Sequence, residues 1–274
     1  MLHDFLYHDP GSMSDALSFL KQHGEESAVF SGGTDLFVAI RAGLTMPQHV
    51  VDLKGIDELH TLAWSDTEGL SIGACVTVNE LVDSAVVREK FPVLHAAGSE
   101  LATFQLRNRA TVIGNIVTAS PCGDMSSPLL VHGGRVVLSS AAGERSMPLG
   151  EFVTGVKRTL IRPDEIVSRI IVPTDWAGAV GGYEKLKRIK GHDLGVVAVA
   201  MIKSAAGIRV AISSAAPTPL LLPDFPVTAT TEEIQKTAQE TIKPIDDVRA
   251  TAEYRAFMVD VYIRRLMESL EDKT

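Results

Sequence analysis

Residues 29–40 read VFSGGTDLFVAI. An apolar strand, 27–30, ends directly in two adjacent glycines that are flanked by Ser31 and Thr34. Glycine allows positive φ and lets a ligand approach the backbone closely, and successive backbone N–H groups in such a turn form an anion-binding concavity. A short helix and a second buried strand, 49–53, follow the turn. The order strand–loop–helix–strand predicts an α/β arrangement at the start of the chain.

The turn at 31–34 has two interpretations. It matches neither the dinucleotide-binding motif G-x-G-x-x-G nor the phosphate-binding motif G-x-x-x-x-G-K-[ST]. Taken alone, a Ser-Gly-Gly-Thr sequence is more often an ordinary turn than a phosphate cradle. The choice between an ordinary turn and a phosphate cradle therefore rests on other segments of the chain.

Composition excludes several classes of protein. The chain has 274 residues and a net charge of −8, with 26 basic and 34 acidic residues, which argues against a nucleic-acid partner. Two cysteines are too few for a disulfide framework or a cysteine-ligated iron–sulfur cluster in this chain. The eight histidines are scattered without an H-E-x-x-H motif, so we expect no metal site. The absence of a long apolar run and of signal-peptide features predicts a cytoplasmic protein without a membrane span.

Hydrophobic periodicity and turn residues predict two domains with a boundary near 174–180. Thr77 and Glu80 form a capping box that opens a helix at 78. Before the boundary we predict helices over 12–24, 78–86 and 91–103, and strands over 58–64, 69–76, 111–118, 135–140 and 162–173. After it, three consecutive strands precede a proline-rich irregular segment and a helix over 246–271.

A second segment, RNRATVIGNIVTASPCGD over 107–124, carries small and hydrogen-bonding residues next to the strand predicted at 111–118. The candidates for contact with the first loop are Thr111, Gly114 and Asn115. Asp124 is suited to accept hydrogen bonds from a ribose hydroxyl. The plainer alternative makes Asp124 a turn or helix-cap residue, and makes Arg107 and Arg109 a solvated pair.

Four segments in this order resemble the flavin-binding subunits of the molybdenum hydroxylases. They are SGGTDL (31–36), RNRATVIGNIVTASPCGD (107–124), IRPDEIVSRIIVP (161–173) and YEKLKRIKGHDLGVVAVA (183–200). The family includes the medium subunit of aerobic carbon monoxide dehydrogenase and the central domain of xanthine dehydrogenase. The resemblance implies an α+β fold, in which a two-lobed FAD-binding domain of the vanillyl-alcohol-oxidase type precedes a small α+β domain with a three-stranded sheet and helices. The implied bounds are 1–175 for the first domain, with lobes of about 1–55 and 56–175, and 176–274 for the second.

The resemblance also implies which residues bind FAD. The first pyrophosphate loop would run from 29 to 36, the second would follow 111, and further residues would lie near the adenine, the ribose or ribityl chain and the flavin ring. The residues carried over are Val29, Phe30, Ser31, Gly32, Gly33, Thr34, Asp35, Leu36, Leu101, Thr111, Gly114, Asn115, Thr118, Asp124, Val167 and Lys185. A lysine beside the flavin would favour its reduced, anionic form; the alternative is a surface residue of a strand. No catalytic residue and no metal ligand is implied.

One position departs from the family pattern. The family reads Thr-x-Gly-Gly-Asn, whereas this chain has Ile113 before Gly114. A β-branched residue disfavours positive φ and blocks a close approach to the backbone. Either the loop shifts, or FAD binds less tightly, or the Ile113 side chain points away from the cofactor.

The function that the resemblance implies is electron transfer. FAD in this chain would pass electrons from 2Fe-2S clusters to an acceptor such as NAD or a quinone. A large molybdenum-cofactor subunit and a small subunit with two 2Fe-2S clusters would be the partners, in a heterotrimer or a dimer of heterotrimers. Two alternatives remain: a self-sufficient flavin-dependent oxidase, and a flavin-free interaction module in which both loops are mere turns.

Overall fold

The computed structural model describes residues 3–189 and 191–271. The N-terminal lobe consists of β1 (Leu6–His8), α1 (Met13–His23), β2 (Ser27–Phe30), α2 (Leu36–Arg41) and β3 (His49–Asp52). Its three strands form a parallel sheet in the order β1–β3–β2. Ser12 caps α1 by accepting a hydrogen bond from Asp15 N, and Gly24 follows the last residue of the helix. Phe30, Ile40 and Val50 form a small core between this sheet and α2.

The second lobe is larger and mixes helices with an antiparallel sheet. Its elements are β4 (Leu62–Ser65), β5 (Gly69–Gly73), α3 (Val78–Asp83), α4 (Ala85–Lys90), α5 (Pro92–Glu100), α6 (Phe104–Arg107), α7 (Val112–Val117), α8 (Ser126–Val131), β6 (Arg135–Ser140), β7 (Gly143–Pro148), α9 (Leu149–Phe152), β8 (Val153–Gly155), β9 (Arg158–Thr159) and β10 (Ile166–Val172). The five-stranded sheet has the order β4–β5–β10–β6–β7. A hairpin turn at 66–68 joins β4 to β5, which pair antiparallel.

Several boundaries in this lobe differ from the prediction. The start of the strand expected over 58–64 is a 3-10 turn, Asp57–His60, and β4 begins only at Leu62. The Thr77–Glu80 capping box is confirmed, but the helix expected over 78–86 is two helices. Ser84 ends α3 and its side chain caps α4, which accounts for the break.

The strand predicted over 111–118 is wrong, because this segment forms the helix α7. Its β-branched residues favour a strand on propensity alone. The side chain of Thr111, however, accepts a hydrogen bond from Gly114 N and caps a helix. Val112, Ile113 and Ile116 then face the core of the second lobe together, which is the spacing of one face of a helix. Tertiary burial and the cap outweigh the propensity.

The C-terminal unit has one antiparallel sheet and two long helices. Its elements are β11 (Val180–Leu186), β12 (Val197–Ser204), β13 (Gly207–Ser213), β14 (Leu220–Leu221), α10 (Thr231–Thr241) and α11 (Ala252–Glu271). The sheet has four strands where three were expected, because Leu220 and Leu221 of the proline-rich segment pair with β13. The predicted terminal helix begins at Ala252, since 246–251 form a loop held by Asp247.

Strand β12 is buried on both faces and joins two hydrophobic cores. Val197, Val199 and Met201 pack with α10 and α11 in the core of the C-terminal unit. Ala200 and Ile202 belong to the core of the second lobe. The two units therefore share this strand. In the described part of the chain, no helix is both long and apolar enough to cross a membrane.

Candidate functional site

The first predicted loop leaves the end of β2 and enters α2. Gly33 has a φ of +70°, and a Cβ at this position would lie 2.4 Å from the ring of Phe30 and 2.8 Å from the ring of Phe37. Only glycine satisfies both constraints. Phe37 N donates a hydrogen bond to Gly33 O at 3.1 Å, which leads the turn into α2. The loop conformation is thus fixed by its own lobe.

Gly32 brings this loop against the second lobe. A Cβ on Gly32 would lie 2.0 Å from the carbonyl oxygen of Arg109. Beside this contact, Ser31 Oγ lies 3.2 Å from Thr111 Oγ1, so one hydroxyl donates to the other. The structure therefore brings Ser31, Gly32 and Thr111 together from the two predicted segments.

Thr111 is held on both sides. Its Oγ1 accepts a hydrogen bond from Gly114 N at 3.0 Å, and a Cβ on Gly114 would lie 2.8 Å from that oxygen. The flanking backbone pairs with the residues before α3, because Val112 N donates to Val76 O at 3.1 Å. The position of the Thr111 hydroxyl is therefore set by the fold of the second lobe.

Asn115 connects α7 to the loop that carries Asp124. Its Oδ1 accepts a hydrogen bond from Met125 N at 3.2 Å. A Cβ on Gly123 would lie 3.1 Å from the same oxygen, so the loop packs closely against the amide. Asn115 thereby orders the residues on either side of Asp124.

Asp124 and Lys185 form a buried ion pair where the second lobe meets the C-terminal sheet. Lys185 Nζ donates to Asp124 Oδ2 at 2.8 Å, and the two side chains are 1% and 10% exposed. Tyr183 Oη donates to Asp124 Oδ1 at 3.0 Å, and Lys185 Nζ also donates to the carbonyl oxygen of Glu100. Burial, and then the Asp124 carboxylate, raise the pKa of Tyr183 well above its usual value, so this hydroxyl stays a neutral donor. Lys185 is not a surface residue.

Leu101 lies at the end of α5 and is 5% exposed. Arg107 fixes this corner, because its Nη1 donates to Leu101 O at 2.9 Å and its Nε donates to Asn79 Oδ1 at 2.9 Å. Arg107 is therefore not the solvated residue that the plainer alternative made it. Arg109 remains exposed at the edge of the cleft described below.

A cleft of about 200 Å³ lies between the two lobes. Its walls include Ser31, Gly32 and Thr111, and they also include cationic and polar groups that sequence reasoning missed. Those additional wall residues are Lys54, His60, Cys75, Thr77, Glu80, Asn108 and Arg109. Lys54 Nζ lies 3.5 Å from the centroid of the Phe30 ring and donates to both Asp52 carboxylate oxygens, at 2.6 and 2.7 Å. The sequence feature that could have identified Lys54 as a cleft residue is its position just beyond the carboxyl end of β3.

The remaining predicted residues are not all in the cleft. Phe30 packs in the core of the first lobe, and Val167 is 3% exposed in the core of the second. Five further predicted residues lie around the first loop or directly after α7, and their side chains are half-buried or exposed: Val29, Thr34, Asp35, Leu36 and Thr118. A larger cavity, of about 330 Å³, lies between α1 and the five-stranded sheet, and none of the predicted residues lines it.

Ile113 has a plain structural explanation. It lies in the first turn of α7, outside the positions with positive φ, and its side chain is 4% exposed in the core of the second lobe. Of the three possibilities for this residue, the geometry matches a side chain that points away from the cleft.

A family model described as "FAD binding domain in molybdopterin dehydrogenase" matches residues 3–175. This chain belongs to that family. The match confirms the resemblance seen in the sequence and makes the protein an FAD-binding oxidoreductase subunit. This membership supports FAD binding over the alternative of a flavin-free interaction module. The division of the chain at 175/176 stays a prediction.

Individual relatives cover nearly the whole chain. The carbon monoxide dehydrogenase medium chain of Hydrogenophaga pseudoflava is 29% identical over 97% of this chain and 96% of its own length. The xanthine dehydrogenase FAD-binding subunit of Escherichia coli is 25% identical over 95% and 94%. A solved structure of the Hydrogenophaga pseudoflava carbon monoxide dehydrogenase aligns with a TM-score of 0.91 and 29% identity, over 98% of this chain and 97% of that one. The predicted α+β fold is thereby confirmed.

Proposed function

We propose that this chain is the electron-transfer flavoprotein subunit of a multi-subunit molybdenum-containing dehydrogenase. Electrons would arrive from 2Fe-2S clusters in a small partner subunit, and would leave for an acceptor such as NAD or a quinone. A large partner subunit would hold the molybdenum cofactor and oxidise the substrate. The observation that carries the proposal is the meeting of Ser31 and Gly32 with Thr111 and the Arg109 backbone across the cleft.

The residues of the cleft fit a pyrophosphate. Glycine at position 32 lets the first loop pack directly against the second segment, since a Cβ there would lie 2.0 Å from the carbonyl oxygen of Arg109. Ser31 and Thr111 offer hydroxyl donors, and Lys54 and Arg109 offer positive charge at the same opening. Anionic phosphate oxygens are bound by such combinations of hydroxyls, backbone N–H groups and cations. The donor set therefore matches the central, charged part of FAD.

Each predicted residue then has a role. The loop from Val29 to Leu36 and the residues Thr111, Gly114 and Asn115 would hold the pyrophosphate, with Leu36 toward the flavin ring. Leu101 would contact the adenine. Thr118 and Asp124 would contact the ribose or ribityl chain. Val167 and Lys185 would lie on the flavin side.

When bound, FAD supplies the ability to accept two electrons and release them singly or in pairs. This chain's own residues bind and orient it. Lys185 is held in a fixed position by its buried ion pair with Asp124 and by its hydrogen bond to the carbonyl oxygen of Glu100. The Asp124 carboxylate offsets much of the positive charge of Lys185. Lys185 would therefore affect the flavin more through its fixed position than through a net positive potential.

Protein partners would cover apolar surface of the N-terminal lobe. Large apolar side chains there are more than half exposed: Leu6 63%, Tyr7 55%, Val38 65%, Leu44 82% and Met46 66%. Exposed apolar side chains of this size are common at subunit interfaces. We place the assembly, a heterotrimer or a dimer of heterotrimers, in the cytoplasm.

Two measurements test the proposal. First, the chain purified alone should bind FAD, and Gly32→Ala should weaken binding by at least about tenfold, because the added Cβ separates the two segments. Gly11→Ala is the matched control, since nothing lies within 4 Å of a Cβ there. Second, the chain should copurify from its native host with a molybdenum subunit and an iron–sulfur subunit.

The rival function is a self-sufficient flavin oxidase. In our proposal, anaerobic substrate reduces the flavin only in the assembled complex and leaves the isolated holo-chain oxidised. Bleaching of the flavin in the isolated chain by an alcohol or amine would favour the oxidase and contradict the proposal.

A further inference from the structure

Histidines that are scattered in the sequence meet at one edge of the N-terminal sheet. His23 ends α1, Glu26 ends the 3-10 turn that follows it, and His49 begins β3. Glu26 directly precedes Ser27, the residue of β2 that pairs with His49. The FAD loop leaves the opposite end of β2, about 10 Å away at about 3.3 Å per residue. The cluster is therefore separate from the cleft.

The three side chains converge. One ligand atom from each of His23, Glu26 and His49 lies within 4.8 Å of the other two. His49 Nε2 lies 4.0 Å from Glu26 Oε2. Ligands on a tetrahedral zinc ion lie roughly 3.3 Å apart, given metal–ligand distances of about 2.0 Å. Side-chain rotations that move these atoms by about 1 Å are enough to close the site.

A further histidine orients His49. His8 Nε2 lies within hydrogen-bond distance of His49 Nδ1, at 3.0 Å, which leaves His49 Nε2 directed to the Glu26 side. Metal-binding histidines are commonly held in this way through their second nitrogen. Phe19 packs between the rings, with centroids 4.1 Å from His8 and 4.8 Å from His23. The rings are thus positioned by packing against Phe19.

We propose that His23, Glu26 and His49 bind a divalent transition-metal ion of the zinc class, with His8 as a positioning residue. Two imidazoles and one carboxylate are a ligand set that zinc takes in proteins, with the fourth position open to water. The ion would join the end of α1 to the first residue of β3. It would stabilise the N-terminal lobe, and it would take no part in electron transfer. The expectation of no metal site rested on sequence spacing, which does not register contacts between α1 and β3.

Zinc and cobalt(II) salts are the probes for this site, added to the full chain without a polyhistidine tag. Titration calorimetry should give one Zn²⁺ per chain, and Co²⁺ should produce the visible absorption of a four-coordinate site. Zn²⁺ should raise the melting temperature, because a ligand that binds only the folded state stabilises it. His23→Gln and His49→Gln should each abolish the Co²⁺ band, and His8→Phe should weaken affinity about tenfold.

Control variants keep the test decisive. His95→Gln changes a half-buried histidine of α5 and should leave zinc binding unchanged. FAD affinity and the far-ultraviolet circular dichroism of every variant should match the parent, which separates lost binding from lost folding. The proposal is overturned if the parent chain binds no Zn²⁺, or if both His49→Gln and His23→Gln retain the parent's stoichiometry and spectrum.

Discussion

Ser31 Oγ and Thr111 Oγ1 lie 3.2 Å apart although 80 residues separate them in the chain. The Gly33 turn shapes the backbone next to Ser31, and the cap of α7 holds the Thr111 hydroxyl. The two lobes therefore meet in a defined register at this contact. Side chains that the fold itself positions lose little conformational freedom when a ligand binds, which favours tight binding.

Thr111→Val should have two effects. It removes the cap of α7, which should lower the free energy of unfolding by about 1 kcal/mol in urea titrations. It also removes a hydroxyl from the cleft and should weaken FAD binding measured by flavin fluorescence. Thr103→Val removes an equivalent cap, that of α6, and should cost similar stability without a change in FAD affinity. Equal effects of both variants on FAD affinity would show that Thr111 acts only through the fold.

Lys185→Met should be strongly destabilising. It leaves the buried Asp124 carboxylate without its cation, and breaking a buried ion pair in this way costs about 3–5 kcal/mol. Lys187→Met is the control, since Lys187 pairs with the half-exposed Glu100 and should cost less than about 1 kcal/mol. Denaturant unfolding measures both. Adding Asp124→Asn to Lys185→Met should restore part of the loss; no recovery would mean that the charge is not the cause.

Ile113→Gly should not tighten FAD binding. The side chain is buried in the core of the second lobe, so its removal opens a cavity and places glycine in the helix α7. Together these effects should lower the free energy of unfolding by roughly 3–5 kcal/mol. FAD affinity, measured below the unfolding transition, should stay the same or fall. A gain in affinity would show that Ile113 obstructs the cofactor after all.

His132 should make the protein less stable in acid. The side chain is fully buried against Phe91, and burial lowers the pKa of His132 to about 4. Between about pH 6.5 and 4, His132 binds a proton in the unfolded chain but not in the folded chain. The free energy of unfolding is therefore highest above this range and falls as the pH falls through it. Between pH 7.5 and 5 the loss should be about 2 kcal/mol.

The pH effect is measured as the difference between parent and His132→Phe in denaturant titrations at several pH values. The variant should show a shallower loss toward acid. His192→Gln, which changes an exposed histidine, should follow the parent curve. Parallel curves for parent and His132→Phe would rule out His132 as the source.

The local features of this fold were predictable where a few neighbouring residues determine them. The Ser12 cap, the Thr77–Glu80 capping box and the glycine turn after β2 follow from short-range rules, and the structure has all three. The four motifs in order also predicted the family correctly. These signals do not depend on which residues meet across the molecule.

The errors have a common physical cause in long-range contacts. Val112 and Ile113 favour a strand on propensity, but burial in the second lobe selects a helix. Lys54 borders the cleft only because β3 ends beside β2, and Arg107 is held by residues from α3 and α5. The His23–Glu26–His49 cluster likewise exists only after the parallel sheet has formed. Sequence spacing carries none of this information.

Strand β12 couples the unfolding of the C-terminal unit to the unfolding of the second lobe. Because its alternate side chains belong to two different cores, the C-terminal unit cannot come away without opening the second lobe to water. A truncated chain ending after β10 would expose Val93 and Leu129 and should aggregate. Heating should accordingly melt the second lobe and the C-terminal sheet in one cooperative transition, and the N-terminal lobe should melt with them, because Ala16, Leu20 and Val51 belong to the core of the second lobe.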